Sequence, residues 1–587
     1  MASRTGCVLR ITKEIRDLQK SNDLSLQAAF RNENVQIVRA LIVGPPDTPY
    51  EFGFYEFNFK FPATYPLHPP RVRAITTNYG RTRFNPNIYS TGLVCLSTLG
   101  TWRGEAEESW STALGLESVL ISIQSLMSAN PYENEPGYEH HGHNRAAVRY
   151  AAKIHHENLR IAVVQRLETM LGIHKQTDVD LEKAKALRDP DKMGEVYDYD
   201  DFNDSLDLAD KDDHGDPVSI STPQAVPSEP KKTPWTGLEA KSSQTGTETH
   251  ADTGTPAKKQ KTGPFLKPLA NASAYNTDTD FDPFCDVTKL RFLWYFDVYM
   301  DSATTSIKPK PEPEADDKPS TKRRKASAYL TEDSLDSLSP ESELDELEDM
   351  YDMRLYSGKA SKPKADPPPP AAIWEGMHFR LESFESAGNC MLGSYCYAGL
   401  RERLKTIRAT IDRETRSWSL QGADAVKNQK GIALEMRKDF EQIKQQNEKG
   451  LYDSSFDIEL VDNNPFVWQM TLFGKYSTNL EGAVINIRIC FSPKFPEEQP
   501  RVSVLTPLFH HRITKTGGVL CYVPSKSDDA HKHIEAIIQA IDDDDPRYDP
   551  RTKVNLEAAE LLWGGDDKKK IYNRKVRRSV QDSLESS

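Results

Sequence analysis

Long apolar runs are missing from this chain of 587 residues, and its most aromatic stretch, Phe292 to Met300, is far shorter than the roughly 20 residues a membrane helix takes. The opening residues, Met1-Ala-Ser-Arg-Thr-Gly-Cys-Val, lack the apolar segment of a secretory leader, so a soluble, intracellular protein is expected. Cysteine is scarce as well. The seven (Cys7, Cys95, Cys285, Cys390, Cys396, Cys490, Cys521) are odd in number and widely scattered, which excludes a disulfide framework and fits reduced thiols. Cys390 and Cys396 lie close in sequence, but without a second close pair they make a poor zinc site, and no metal is expected. Apolar residues make up only 37%, against 28% charged residues and 38 prolines, so a sizeable part of the chain cannot bury enough surface to fold. Length alone would suggest about four domains, and this composition lowers that number. The net charge of −13 excludes wholesale binding to nucleic acid or anionic membranes. Local basic runs exist at Lys258-Lys259-Gln260-Lys261 and Lys322-Arg323-Arg324-Lys325. An import receptor can read such runs, or they can merely solvate a linker, so the cytoplasm is the expected compartment and the nucleus stays open beside it.

What is present is periodic. Ile11, Ile15 and Leu18 share one face of a helix. Tyr55, Phe57, Phe59 and Phe61 alternate with Glu56, Asn58 and Lys60, predicting a strand with one buried face. Val119, Ile123 and Leu126 predict a second helix, and Leu159, Val163, Leu167 and Met170 another. Helices on an antiparallel sheet make an α+β fold. Residues 175–262 and 303–368, the latter with an acidic run from Glu341 to Asp352, lack apolar periodicity and are expected to be disordered. Between them Phe292, Tyr295, Phe296 and Tyr299 recur at helical spacing, and Tyr397, Leu400, Leu404, Ile407 and Ile411 do so beyond. A repeat then appears at an offset of 430: Phe61, Tyr65-Pro66 and Pro70-Arg71-Val72 return as Phe491, Phe495-Pro496 and Pro500-Arg501-Val502. Ile485, Ile487 and Ile489 alternate as a strand does, after a helix marked by Met436, Phe440 and Ile443. The expected organisation is a first domain at 5–174, a linker at 175–262, an aromatic helix at 263–302, an acidic linker at 303–368, a helical extension at 369–430 and a second domain at 431–587.

One turn stands out chemically. In Phe84-Asn85-Pro86-Asn87 through Gly92-Leu93-Val94-Cys95, a thiol follows the Asn87 amide by eight positions in a turn set by proline and glycine. A thiolate can form a labile acyl thioester, and an amide can donate to the oxyanion of acyl transfer. A buried, inert Cys95 is the alternative on this pattern alone. Gly44-Pro45-Pro46-Asp47-Thr48-Pro49-Tyr50, Tyr65-Pro66-Leu67-His68-Pro69-Pro70 and the Cys95 turn follow one another in an order and spacing that resembles the ubiquitin-conjugating enzymes over residues 5 to 140. Leu99-Gly100-Thr101-Trp102 and Asn130-Pro131-Tyr132-Glu133-Asn134-Glu135 look most like its large type Z members.

The resemblance implies that Cys95 is the nucleophile that carries ubiquitin or a ubiquitin-like modifier as a thioester, and that Asn87 is the oxyanion donor. Asn85 stands where the family usually has a structural histidine and would support the turn. Glu133 or Glu135 would orient the incoming lysine, or simply be solvated. Leu67, Trp110 and Thr112 would meet ubiquitin ligases, although an apolar residue between prolines can equally be core packing. The implied partners are the modifier, an activating enzyme, ligases and protein substrates, with no cofactor, since ATP is used by the activating enzyme. The repeat extends the resemblance to 431–587, giving two conjugating-enzyme-like domains joined by disordered linkers with helical islands. There Cys521 has Ile513 eight positions before it, so the asparagine is missing, and His511 is the alternative donor. The rival reading is a non-catalytic scaffold that binds ubiquitin or ligases through both domains. The helical islands are expected either to pack back on the first domain or to form a small unit of their own.

Overall fold

The computed structural model describes residues 2–173, 282–306 and 373–585, except 22, 32–33, 103, 105–107, 141–143, 386–390 and 429. The expected disordered linkers lie outside the described residues, apart from the helix end at 303–306, as do both basic runs and Cys390.

Ile11, Ile15 and Leu18 line the buried face of α1 (Ala2–Lys20). An antiparallel sheet follows in sequence order: β1 (Leu26–Arg31), β2 (Asn34–Val43), β3 (Phe54–Lys60) and β4 (Arg71–Ala74). The register pairs Val38 with Phe59, Ala40 with Phe57 and Ile42 with Tyr55. Period-two geometry therefore turns all six onto one face, where they pack on α1 and on α2 (Leu116–Leu126).

The second face of β3 is buried too, against the expectation drawn from its polar alternation. The cause lies downstream. Helix α3 (Arg145–Glu157) runs on through π-helical turns at Asn158–Gln165 into α4 (Arg166–Met170). Its Leu159, Val163, Val164 and Leu167 cover Leu41, Val43 and Phe54 on the outer face. Glu56, 1% exposed, is tolerated there because Arg39 and Arg166 both reach its carboxylate, Arg166 at 2.8 Å.

The second domain repeats this plan. After α5 (Cys285–Thr305) and α6 (Tyr397–Lys427), α7 (Gly431–Glu448) precedes a second antiparallel sheet, β5 (Phe456–Leu460), β6 (Val467–Phe473), β7 (Val484–Cys490) and β8 (Arg501–Val504). Met436, Phe440 and Ile443 of α7 pack on Ile485, Ile487 and Ile489, and α8 (Ala530–Asp542) closes the same core. α9 (Leu556–Trp563) and α10 (Asp566–Glu585) complete it. Here β7 keeps the simple alternation, with Asn486 and Arg488 half-buried on the outer face.

The two helical islands do not pack on the first domain alone. They form a third core shared by both domains. Leu293, Trp294 and Val298 of α5 are buried along with the aromatic residues that predicted it, as expected for a helix enclosed on all sides. Tyr295 stacks on Phe52 of the first domain at 3.7 Å between ring centroids and donates to the Arg551 carbonyl of the second at 2.8 Å. On α6, Arg403 pairs with Glu168 at 2.6 Å and Arg408 donates to the Thr516 carbonyl at 3.2 Å. Direct bridges, Arg551 to Asp23 at 3.1 Å and Lys553 to Asp47 at 3.2 Å, join the same two faces. The expected helical extension at 369–430 is helical only from Tyr397, and Ile373–Cys396, where described, is an irregular strap. Among the described residues no helix is long and apolar enough to cross a membrane.

Candidate active site

The Asn-Pro-Asn turn is organised by its first asparagine. Asn85 is fully buried; its amide donates to the Tyr50 hydroxyl at 2.9 Å and the Leu126 carbonyl at 2.8 Å. Its Oδ1 accepts from the Asn87 backbone N–H at 2.9 Å and from Asn134 Nδ2 at 3.2 Å. A buried side chain with both donors and its acceptor engaged is a rigid post, since leaving any of them unpaired is costly. Asn87 is thereby fixed and clasps Cys95 twice. The Cys95 N–H donates to the Asn87 carbonyl at 2.8 Å, and Asn87 Nδ2 donates to the Cys95 carbonyl at 3.3 Å. The amide has a second N–H beyond that bond. Gly92, at φ +94°, makes the return possible, because a Cβ there would meet the Ala74 carbonyl oxygen at 2.7 Å.

The thiol is neither exposed nor readily ionised in the resting fold. Cys95 is 1% exposed, and burial pushes its pKa up to about 12. Arg83 opposes that shift and Glu135 adds to it. Arg83 donates to the Pro86 carbonyl at 2.6 Å, lies 4.3 Å over the Tyr89 ring and bridges to Glu135 at 3.4 Å. Of the two candidate acids, Glu135 is therefore the one whose charge acts on Cys95, and burial raises its own pKa. Glu133 shares the turn at Pro131–Asn134 and is half-buried.

In the second domain the Cys521 N–H donates to the Arg512 carbonyl at 2.8 Å, and Arg512 Nη1 donates to the Cys521 carbonyl at 3.5 Å. These are the bonds Asn87 makes. The counterpart of Asn87 is therefore Arg512, not Ile513. The bridges from Ile513 to Leu520 and from Ile88 to Val94 fix that register, and Gly517-Gly518 adds one residue to the hairpin tip. His511 is no donor to Cys521. It is fully buried beneath α9 and α10, its ring 5.1 Å from Trp563 and its Nδ1 3.4 Å from the Tyr572 hydroxyl, and burial drives its pKa far down so that it stays neutral. Cys521 is fully buried in the third core, where Arg512 and Arg291 of α5 are the cations acting on it.

A family model described as ubiquitin-conjugating enzyme matches residues 10–157 and 435–580, which together are half of the chain. The chain belongs to the ubiquitin-conjugating enzyme family. Over 162 residues it is 49% identical to "Ubiquitin-conjugating enzyme E2 Z" of Xenopus tropicalis, covering 28% of this chain and 51% of that protein. The protein of the same name from Homo sapiens is 48% identical over 162 residues, covering 28% and 45%. The chain thus spans about half the length of the curated relatives it matches. Among solved structures, the E2 domain of the Toxoplasma gondii ubiquitin conjugating enzyme TgTwinScan_2721 is 26% identical and covers 26% of this chain and 97% of its own, with a TM-score of 0.21.

Around this candidate site, Leu67 is 69% exposed, so the core-packing alternative fails for it. Trp110 donates to the Pro66 carbonyl at 2.9 Å and packs 6.0 Å from the Tyr65 ring, with Thr112 exposed close by in sequence. The roles of Arg83, Asn134 and Arg512 escaped the reading of the sequence. Arg512 could have been found by allowing one extra residue at the double glycine, whereas nothing local marks Arg83 or Asn134. Among the described residues no group of three or more His, Cys, Asp or Glu could hold a metal ion.

Proposed function

We propose that the first domain takes ubiquitin or a ubiquitin-like modifier as a thioester on Cys95 and passes it to substrate lysines. The observation that carries this reading is that the group clasping the thiol-bearing residue is an asparagine amide, Asn87 on Cys95, where the second matched domain makes the same two bonds through an arginine. In the first step the Cys95 sulfur attacks the thioester carbonyl carbon presented by an activating enzyme, where ATP has been used; the new C–S bond forms, the old one breaks, and the proton Cys95 gives up passes through water to the departing sulfur of that enzyme. In the second, a lysine amine attacks the new thioester. The C–N bond forms, the C–S bond breaks, the sulfur leaves as thiolate, and the amine proton passes to water or to Glu135. The second Nδ2–H of Asn87 is the donor assigned to the oxyanion, and loss of such a donor typically costs about 2.7–4 kcal/mol. Since Cys95 is 1% exposed, both steps require the groups above it to part on engagement. Leu67, Trp110 and Thr112 are the surface assigned to ligases.

The second domain is read as a binding or structural copy, because Cys521 is sealed under α5 and an arginine replaces the donor asparagine. Incubation with activating enzyme, ATP and ubiquitin, resolved without reductant, tests both assignments. A reductant-sensitive adduct should form on the parent, become reductant-stable or vanish in Cys95→Ser, and persist in Cys521→Ala. An adduct that survives unchanged in Cys95→Ala would overturn the assignment.

A further inference from the structure

The strap before α6 returns to the first domain beside the site. Glu385 and Lys153, each at most 2% exposed at the side chain, pair at 2.5 Å, and Lys153 also donates to the Arg380 carbonyl at 3.0 Å. The Glu382 N–H donates to Glu385 at 2.8 Å, which ties the bend together. That anchor inserts Phe384 among three tyrosines, with ring centroids 5.3 Å from Tyr132, 5.7 Å from Tyr138 and 5.3 Å from Tyr150, all edge to face. Ser383 adds a 2.6 Å hydroxyl contact to Tyr138. Tyr132 and Tyr138 bracket the turn that sends Asn134 to Asn85 and Glu135 to Arg83. Arg83 itself, which donates to the Pro86 carbonyl and to Glu135, lies 5.9 Å over the Phe384 ring. A side chain about 290 positions downstream of Cys95 therefore forms the back wall of the groups that flank it.

We propose that Phe384 is a positioning residue for transfer from Cys95: wedged among Tyr132, Tyr138 and Tyr150, it holds the Asn134–Glu135 turn and Arg83 in the arrangement that discharge to an amine requires. The proposal rests on Cys95 being the thioester carrier. Without the ring, the turn keeps its backbone bonds but loses its packing, and placement of Glu135 and Arg83 degrades by fractions of an ångström, which transfer chemistry registers in its maximal rate.

The test uses the full chain, charged with ubiquitin by an activating enzyme and ATP and then chased with free lysine in single turnover over a range of lysine concentrations. Phe384→Ala should lower the maximal discharge rate roughly tenfold, with the charged fraction and the half-saturating lysine concentration changed less than about twofold. Phe384→Tyr, which keeps the ring, should recover to within about twofold of the parent. Phe384→Ala combined with Glu135→Gln should be no more than about threefold slower than the slower single variant, since both act through one element. If Phe384→Ala does not fold, Phe384→Leu carries the measurement, with an expected loss of roughly threefold. Parent-like discharge by the folded Ala or Leu variant overturns this proposal alone, as does a multiplicative double variant. Failure of the parent to form an adduct that Cys95→Ala abolishes overturns the carrier assignment, and this proposal with it.

Discussion

The reactivity of Cys95 in the resting protein can be read directly by alkylation. Burial moves its pKa from about 9 to about 12, so at any pH well below 9 it carries roughly a thousandth of the thiolate of an ordinary thiol. A more basic thiolate is a better nucleophile, and a Brønsted slope of about 0.4–0.5 returns roughly 15- to 30-fold over that range. The net expectation is alkylation at least about 30-fold slower than an unstructured cysteine peptide, before any further slowing from a side chain 1% exposed. The rate should also keep rising about tenfold per pH unit through pH 10, where an ordinary thiol has levelled off. Glu135 raises the Cys95 pKa, so Glu135→Gln should accelerate the reaction. The assay is iodoacetamide labelling of the native protein from pH 6.5 to 10.5, quantified on the peptide that contains Cys95 by mass spectrometry. A plateau below pH 9, or a rate at pH 7.5 within about threefold of the reference peptide, would refute the argument.

Three further outcomes are expected. Glu385→Ala leaves the buried Lys153 ammonium without its partner and should cost about 3–5 kcal/mol, seen as a lowered thermal midpoint that Lys153→Met added to it largely restores; an unchanged midpoint contradicts the burial of the pair. Arg512→Asn should not create a second charging site, because α5 still covers Cys521; an adduct on Cys521 in that variant would show that the third core opens. Burial holds His155 and His533 at pKa values of about 4 in the folded state, below their value in the unfolded chain. Their folded form then binds fewer protons, so stability is complete above about pH 6.5 and falls towards pH 4, by on the order of 3 kcal/mol per histidine. Calorimetry at pH 7.5 and 4.5 checks this, and equal midpoints would contradict it.

Much of the architecture was legible because it follows local periods. Ile11, Ile15 and Leu18, the Tyr55 to Phe61 alternation and the repeat at Phe491 and Pro500-Arg501-Val502 are patterns whose periods of 3.6 and 2 record which face is buried, and they were enough for the α+β class and for two related domains. The Asn85, Asn87 and Cys95 turn could be located too, since a turn is a short-range feature built from asparagine, proline and glycine.

Tertiary structure decided what surrounds those residues. Whether Cys95 is ionised depends on desolvation and on Arg83 and Glu135, which come from separate loops, and no local pattern encodes that sum. The partner of Cys521 was misplaced by one residue because a glycine insertion preserves the strand pairing while shifting the count. The outer face of β3, the shared core around α5 and the Phe384 wedge all join segments more than a hundred positions apart. Periodicity reports that a face is buried, but not against what; the occupant is selected by shape and charge once the chain has folded.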